Sequence, residues 1–309
     1  MTDRIDHGIR ERTVLITGGA GFVGSHLAAA LAPDNDVRVL DDLSTGRRAN
    51  VPEGAELLVG DVRDPATLDA ATEGVDLVFH EAALVSVPRS LEQPLTTART
   101  NLDATVELLE RVRAADARLV FASSAAVYGQ PAYVPLDETH PTAPASPYGI
   151  AKLAADQYVR LYAAEYDVPT VALRYFNVYG PRAGAGVVAA FRERALAGDP
   201  LTVHGDGAQT RDFVHVDDVV RANLRAATTD AVGRAFNVGT GETVTVHDLA
   251  ERVRSAADAD SPIRTAEPRD GDVRHSRADT TAARETLGFE ARVSLPEGLA
   301  TLPGLDADV

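Results

Sequence analysis

Thr13-Val-Leu-Ile-Thr-Gly-Gly-Ala-Gly-Phe-Val-Gly24 is the stretch on which the fold turns: a short β-rich run that breaks into glycines and continues into a helical segment, Phe22–Leu31. Gly18, Gly21 and Gly24 stand three apart. At a strand-to-helix turn the first glycine permits the tight bend and the second lets a pyrophosphate approach the backbone. The third lets the helix pack close to the sheet, with its N-terminus facing the phosphates. The next β-rich run, Asp36-Val-Arg-Val-Leu40, ends in Asp41, 17 positions after Gly24, where a carboxylate accepts hydrogen bonds from the hydroxyls of an adenosine ribose. Asp42 follows, and two carboxylates repel a 2′-phosphate, so the pattern predicts NAD and not NADP. Asp61 in Gly60-Asp-Val62, ending the third run, is placed to meet the adenine amine.

The alternation continues through the first half of the chain. Residues 56–59, 75–79, 118–121 and 170–173 are further short apolar runs, as expected of a parallel sheet covered on both faces. Helical segments at 95–114 and Pro147–Tyr166 lie between them. The predicted class is α/β, a Rossmann-type doubly wound parallel sheet joined by crossover helices. After about Gly180 the pattern becomes irregular, with helices near Val187–Ala197 and Val246–Ala256 and short strands between. Residues 1–178 are therefore expected to form an NAD-binding domain, to which a segment at about 211–239 returns. Residues 179–309 are expected to form mainly a smaller mixed α/β substrate domain.

Composition narrows the function. A chain of 309 residues suggests about two domains, and its 45% hydrophobic content excludes disorder. There is no cysteine, which excludes a disulfide scaffold, a thiolate metal site and a cysteine nucleophile. His80-Glu81 lacks the second histidine of a zinc helix, with Leu84 at that position, and His204 and His215 have no ligand-like spacing, so no metal is expected. The first ten residues are polar and no run approaches about 18 apolar residues, which predicts a soluble cytoplasmic protein without a membrane partner. A formal charge of −16 argues against nucleic acid. Lys152 is the only lysine among the 30 basic residues. Such an acidic, lysine-poor chain suits a salt-rich, halophilic cytoplasm, the alternative being a GC-rich genome that favours Arg and Ala codons.

That single lysine stands in Tyr148-Gly-Ile-Ala-Lys152, at the start of a helix after Ser146-Pro147. The i,i+4 spacing puts Tyr148 and Lys152 on one face. A free tyrosine is a poor base at neutral pH, and a nearby ammonium favours its phenolate. Hydride removal from a secondary alcohol needs such a base for the hydroxyl proton. Upstream, Ser123 and Ser124 fall at the C-terminal end of a strand, where ligands sit in doubly wound sheets. Ser124 is positioned to hydrogen-bond the reacting oxygen, and Ser123 to line the cofactor or cap a turn.

These motifs resemble the extended short-chain dehydrogenases/reductases, in their NAD-dependent sugar-nucleotide epimerase/dehydratase branch, and most of all the 4-epimerases of UDP-hexoses. The resemblance runs through Thr17-Gly-Gly-Ala-Gly-Phe-Val-Gly-Ser-His26, Asp41-Asp-Leu-Ser-Thr-Gly46, His80-Glu-Ala-Ala83, Ser123-Ser-Ala-Ala-Val-Tyr-Gly129 and Ser146-Pro-Tyr-Gly-Ile-Ala-Lys152. It continues through Arg174-Tyr-Phe-Asn-Val-Tyr-Gly-Pro-Arg182, Gly205-Asp-Gly-Ala-Gln-Thr-Arg-Asp-Phe213, Asn237-Val-Gly239 and Arg269-Asp-Gly-Asp272. It implies that Tyr148 is the base, Lys152 its electrostatic partner and Ser124 the orienting hydroxyl. The cofactor positions it implies are Gly18, Gly21, Phe22, Val23, Gly24, Asp41, Asp42, Ser44, Gly46, Asp61, Val62, Ala82, Ala83 and Ser123. Asn101 and Tyr175 join Tyr148 and Lys152 at the nicotinamide half. Asn177, Arg211, Arg269 and Asp272 are implied to hold the nucleotide diphosphate and its ribose, as an arginine fork suits a pyrophosphate.

The reaction so implied is NAD-dependent 4-epimerisation of nucleoside-diphosphate sugars such as UDP-glucose and UDP-galactose, through a transient 4-keto sugar. Related dehydratases and decarboxylases carry an acidic residue just after the serine or threonine. Here Ala125 and Ala126 stand in those places, so elimination has no catalyst. Ser276, four residues beyond Asp272, replaces a bulky tyrosine found in some relatives and predicts room for an N-acetyl group. The alternatives are another nucleotide-sugar epimerase or dehydrogenase, for example on a UDP-uronic acid, and a non-catalytic NAD-binding sensor. A homodimer formed by the helices at 95–114 and Pro147–Tyr166 is expected from the same resemblance.

Overall fold

The computed structural model describes residues 8–269 and 271–305. Strand β1 (Thr13–Thr17) lies at the middle of the fold, with Val14, Leu15 and Ile16 wholly buried. It runs through the glycine turn into α1 (Phe22–Leu31), followed by β2 (Asp36–Asp41) and β3 (Ala55–Val59). Helix α2 (Pro65–Thr72), capped by the Asp64 carboxylate at Thr67 N, leads to β4 (Leu77–His80). The next stretch departs from the single regular helix expected over 95–114. Helices α3 (Val87–Glu92) and α4 (Pro94–Ala98) run into a π-helical turn, Arg99–Asp103, before α5 (Ala104–Ala114). A π turn inserts a residue into the helical count, and such turns gather at functional sites. This one carries the buried Asn101, whose amide accepts from Leu84 N at 2.8 Å and donates to Leu84 O at 3.0 Å.

Strand β5 (Arg118–Ser124), helix α6 (Pro147–Tyr166) and strand β6 (Thr170–Tyr175) complete the first half. Beyond them come β7 (Asn177–Tyr179), α7 (Val187–Ala197), β8 (Leu201–His204), β9 (Thr210–Arg211) and β10 (Phe213–His215). Helix α8 (Val216–Thr228) and strand β11 (Arg234–Val238) follow, then β12 (Val244–Thr245), α9 (Val246–Ala256), β13 (Ile263–Ala266) and α10 (Leu295–Ala300). Seven strands form one parallel sheet in the order β3-β2-β1-β4-β5-β6-β11, a doubly wound dinucleotide-binding arrangement. One face is covered by α1 and α8, through residues such as Leu27, Leu31, Val219 and Leu224. The other is covered by α2, α5 and α6, through Leu68, Leu108, Val112 and Val159. A separate core, with Phe191, Leu201, Leu249 and Leu299, unites α7, α9 and α10 with β8 and β10. Among the described residues no helix is long and apolar enough to cross a membrane.

The sheet and α6 are joined by a buried ion pair. Asp156, wholly buried on α6, accepts from Arg174 Nε on β6 at 3.0 Å, from Ser123 Oγ on β5 at 2.8 Å and from Arg160 Nε at 2.9 Å. Burial pushes the Asp156 carboxyl up, but Arg174, Ser123 and Arg160 together outweigh this and hold it below the usual carboxylate range. The stabilisation is thus present at neutral pH and is lost as the pH falls through that depressed value. Asp156→Ala leaves the Arg174 guanidinium buried without its partner and is expected to cost about 3–5 kcal/mol, measured by urea denaturation at neutral pH.

Candidate active site

The glycine turn is shaped by close approach. A Cβ added to Gly24 would lie 2.4 Å from Gly18 O, and Gly18 itself has a φ of +67° with the Ala82 backbone nitrogen 2.7 Å from where its Cβ would be. Helix α1 has no side-chain cap on its first turn, so the backbone N–H groups there are left for a ligand anion. Phe22 and Val23, half-buried, flank this turn. Asp41 is buried at the end of β2, accepting from Ala20 N at 3.0 Å and from Leu43 N at 2.8 Å. Its burial raises the carboxyl above its ordinary value, with those backbone bonds opposing. Asp42 is exposed and accepts from Ser44 N at 2.9 Å. Gly46 lies against the Asp41 carboxylate, and Arg47 N donates to Ala20 O at 3.0 Å, so the loop after β2 is stapled to the glycine turn.

At the end of β3, Asp61 is clamped by Arg63, whose Nε donates to Oδ1 at 2.9 Å and to Oδ2 at 3.0 Å. This hydrogen bonding holds the Asp61 carboxyl below its usual range. Val62 beside it is buried, and Asp61, Arg63, Asp64 and Arg99 line an open cleft of about 370 Å³. An uncapped helix start, a backbone-close glycine turn and a buried acidic residue at the end of the second strand together fit a dinucleotide such as NAD.

The second group of residues lies at the ends of β4, β5 and β6. Ser146 caps α6 by accepting from Gly149 N at 3.1 Å, with Pro147 at the first helical position. Gly149 admits the 3₁₀ turn Ala125–Val127 after β5: a Cβ there would meet Ala126 O at 2.8 Å. That approach sets Tyr148 beside Ser124, half-buried at the end of β5. Burial pushes the Tyr148 hydroxyl up, the Ser124 bond pulls it down, and the charge of Glu81 raises it again. Lys152, one turn along and buried, donates from Nζ to Ala122 O at 2.7 Å and lies 4.7 Å above the Phe121 ring. The spacing suggested an ammonium beside the phenol. That ammonium gives one hydrogen bond to the β5 carbonyl, and Ser124 is a group that eases Tyr148 toward its phenolate.

Ser123 is occupied by Asp156, while Ala82 and Ala83 line the loop that Asn101 fixes through Leu84. Tyr175, buried at the end of β6, donates to Glu81 Oε1 at 2.9 Å and accepts from Asn223 Nδ2 on α8 at 2.7 Å. The residues assigned to substrate collect on a separate rim. Arg211 on β9 pairs with Asp272, whose backbone N–H donates to Arg269 O at 3.2 Å, and Ser276 N donates to Thr210 O at 3.1 Å. Gln130, in the loop after Ser124, reaches Asp272 O from Nε2 at 3.2 Å. Asn177 is exposed on β7. Asp212, unassigned by sequence, is buried and ties this rim together, accepting from Thr240 N at 2.8 Å, Gly241 N at 2.9 Å and Ala278 N at 3.1 Å. Its position beside Arg211 in the Gln209-Thr-Arg-Asp-Phe213 stretch was the only signal for it.

Residues 14–239 match the NAD dependent epimerase/dehydratase family. A UDP-glucose 4-epimerase of Mycolicibacterium smegmatis is 41% identical over 299 residues, spanning 93% of this chain and 96% of that protein. Among solved structures, the UDP-glucose 4-epimerase of Thermotoga maritima with UDP-glucose gives a TM-score of 0.90 at 39% identity, over 96% of this chain and 97% of that one. The UDP-N-acetylglucosamine 4-epimerase of Methanobrevibacter ruminantium M1, in complex with UDP-N-acetylmuramic acid, gives 0.90 at 34% identity, over 94% and 96%. The chain belongs to the NAD dependent epimerase/dehydratase family. It is an NAD-dependent epimerase similar to the UDP-glucose 4-epimerases, and its cofactor is NAD.

Gly24→Ala forces about 1–3 kcal/mol of overpacking into the turn. NAD affinity is expected to fall about ten- to hundredfold, measured by calorimetric titration of stripped protein.

Proposed function

We propose that this chain interconverts the C4 epimers of UDP-hexoses, including N-acetylated ones, as a cytoplasmic homodimer. The observation behind this reading is the meeting of Tyr148 with Ser124 beside a turn whose next residues, Ala125 and Ala126, hold no acid or base. When bound, NAD supplies a reversible hydride acceptor for the sugar carbon. Tyr148 Oη takes the proton of the sugar 4-hydroxyl, and the Ser124 hydroxyl orients that oxygen. Lys152 spends one of its three donors on Ala122 O and keeps the others for the nicotinamide ribose, beside Asn101 and Tyr175. Inversion follows when the transient 4-keto sugar presents its opposite face before Tyr148 returns the proton. Gly18, Gly21 and Gly24 receive the pyrophosphate of NAD, Asp41 its adenosine ribose and Asp61 its adenine. Arg211, Arg269, Asp272 and Asn177 hold the substrate's nucleotide diphosphate, and the small Ser276 leaves space beside the sugar.

UDP-galactose and UDP-N-acetylgalactosamine, offered separately to purified protein in molar KCl without added NAD, should both convert to their gluco epimers, followed by NMR. Ser276→Tyr should lose at least about tenfold on the N-acetylated substrate alone, about 1.4 kcal/mol of selective transition-state binding. Equal losses on both substrates would sink the Ser276 reading. Stoichiometric NADH release would identify a dehydrogenase instead, and binding of NAD with no turnover of any nucleotide sugar a sensor.

The dimer reading is supported by apolar side chains that this chain leaves uncovered. Ile150 and Leu161 on α6, three turns apart along one stripe, are exposed, as are Leu91 on α3 and Leu95 on α4, which pack beside α6. A second copy applying the same stripe covers both sets in one two-fold contact. Sedimentation in molar KCl should show a dimer, and Leu161→Arg a monomer. A monomeric parent protein at high concentration would refute it.

A further inference from the structure

Glu81 takes no part in the chemistry above, yet it is fixed from both main chain and side chain. Its backbone N–H donates to Thr17 O at 3.1 Å, and its Oε1 accepts from Tyr175 Oη at 2.9 Å. Tyr175 Oη accepts in turn from Asn223 Nδ2 at 2.7 Å, and that amide also donates to Val219 O at 2.8 Å. The chain of bonds runs from the wholly buried Asn223 on α8, across the end of β6, to the end of β4. In the parallel pairing of β4 with β5, His80 stands opposite Phe121, so Glu81 comes level with Ala122, whose carbonyl holds Lys152, and both Lys152 and Tyr148 feel its charge.

Lys152 needs such a charge. It is 2% exposed, and its ammonium is held by a carbonyl oxygen and an aromatic face, both neutral. A buried cation solvated only by dipoles is costly unless an opposite charge faces it. The other groups around it do not supply one. On β4, His80 is locked between Thr17 Oγ1 at 2.6 Å and Thr105 Oγ1 at 2.9 Å, and burial drives it down to about 3, leaving it neutral. On α6, Asp156 is already committed to Arg174, Arg160 and Ser123, and on β6 Arg174 is the other half of that pair. Ser123 and Ser124 on β5 and Asn223 on α8 carry no charge. Burial disfavours the charged forms of Tyr175 and Tyr148, the latter eased back by Ser124. Burial raises Glu81 to about 7 and lowers Lys152 to about 8, and each pulls the other back toward its charged form.

We propose that Glu81, held in place by Tyr175 and Asn223, is a positioning residue that serves as the counter-charge of Lys152. Its catalytic consequence rests on the roles given to Tyr148 and Lys152 under the proposed function; the pairing itself does not. Glu81 acts through Lys152, keeping it cationic where the ribose and the phenol of Tyr148 need it. It does not touch the reacting atoms.

Because Lys152 is the only lysine, full-length protein carrying 13Cε-lysine and its NAD gives one lysine resonance to follow against pH. In Glu81→Gln the amide oxygen still accepts from Tyr175 Oη, so the bond network and fold are kept while the charge is lost. The Lys152 midpoint should move to lower pH, with proton affinity falling at least about threefold. Glu81→Asp, which restores the charge, should move it back toward the parent value. At neutral pH, kcat of Glu81→Gln on UDP-galactose should fall with KM little changed. An unmoved lysine midpoint in Glu81→Gln overturns the pairing, whatever the activity. A shifted midpoint in a protein that turns over no nucleotide sugar upholds the pairing and rejects the epimerase reading.

Discussion

Asp156 is the point at which the catalytic helix is anchored, and its burial constrains everything built above it. A carboxylate with no solvent must be met on every side, and Arg174, Arg160 and Ser123 meet it. Those three partners lie on β6, on α6 itself and on β5, so the one group fixes how α6 is set against the sheet. Lys152 is one helical turn before Asp156 and Tyr148 one turn before that. Ser124 is the next residue after the one that Asp156 holds. The setting of the Ser124 hydroxyl against the Tyr148 phenol is therefore fixed by a group that is part of neither.

The parts of this arrangement that were legible in sequence are those encoded locally. The run from β1 into Gly18, Gly21 and Gly24 announces itself because strand, turn and helix are adjacent in the chain, and Asp41 because β2 comes directly after. Tyr148 and Lys152 stand out because helical spacing and a solitary lysine single them out. What stayed hidden was set by partners distant along the chain. Asp156 and Arg174 are 18 residues apart, Tyr175 and Asn223 are 48, and Glu81 and Tyr175 are 94. No periodicity reports such pairs, and none reports the π-helical turn that aims Asn101 at Leu84. Spacing also put Lys152 beside Tyr148 without showing that the Ala122 carbonyl takes its hydrogen bond.

The pocket and the surface handle charge in opposite ways. Outside, the chain carries a large acidic excess that water and salt ions must screen. Inside, charges come as individually answered groups: Asp156 by Arg174, and Asp41 and Asp212 by rows of backbone N–H groups. His80 and Tyr175 are instead kept neutral by burial. A low-dielectric interior makes each remaining charge act over a longer distance than it would in water. Under the proposed function, proton transfer between a sugar hydroxyl and Tyr148 is then governed by a small number of groups whose positions are fixed.

The substrate rim also bears on how the protein is made. Residues 275–279 run between two much earlier parts of the chain: Ser276 N bonds to Thr210 O, while Leu136 N donates to Arg277 O and Asp279 N to Leu136 O. Leu136 belongs to the loop after Ser124, so the stretch that follows this serine is braced by residues synthesised long after it. The sheet too stays open at one edge until β11 has left the ribosome and paired with β6. A nascent chain can gather the glycine turn and its helix early, because those contacts are local. Under the proposed function it gains a complete sugar pocket only once residues 275–279 have emerged, so a nascent chain that already holds the glycine turn still lacks the means to act on a nucleotide sugar.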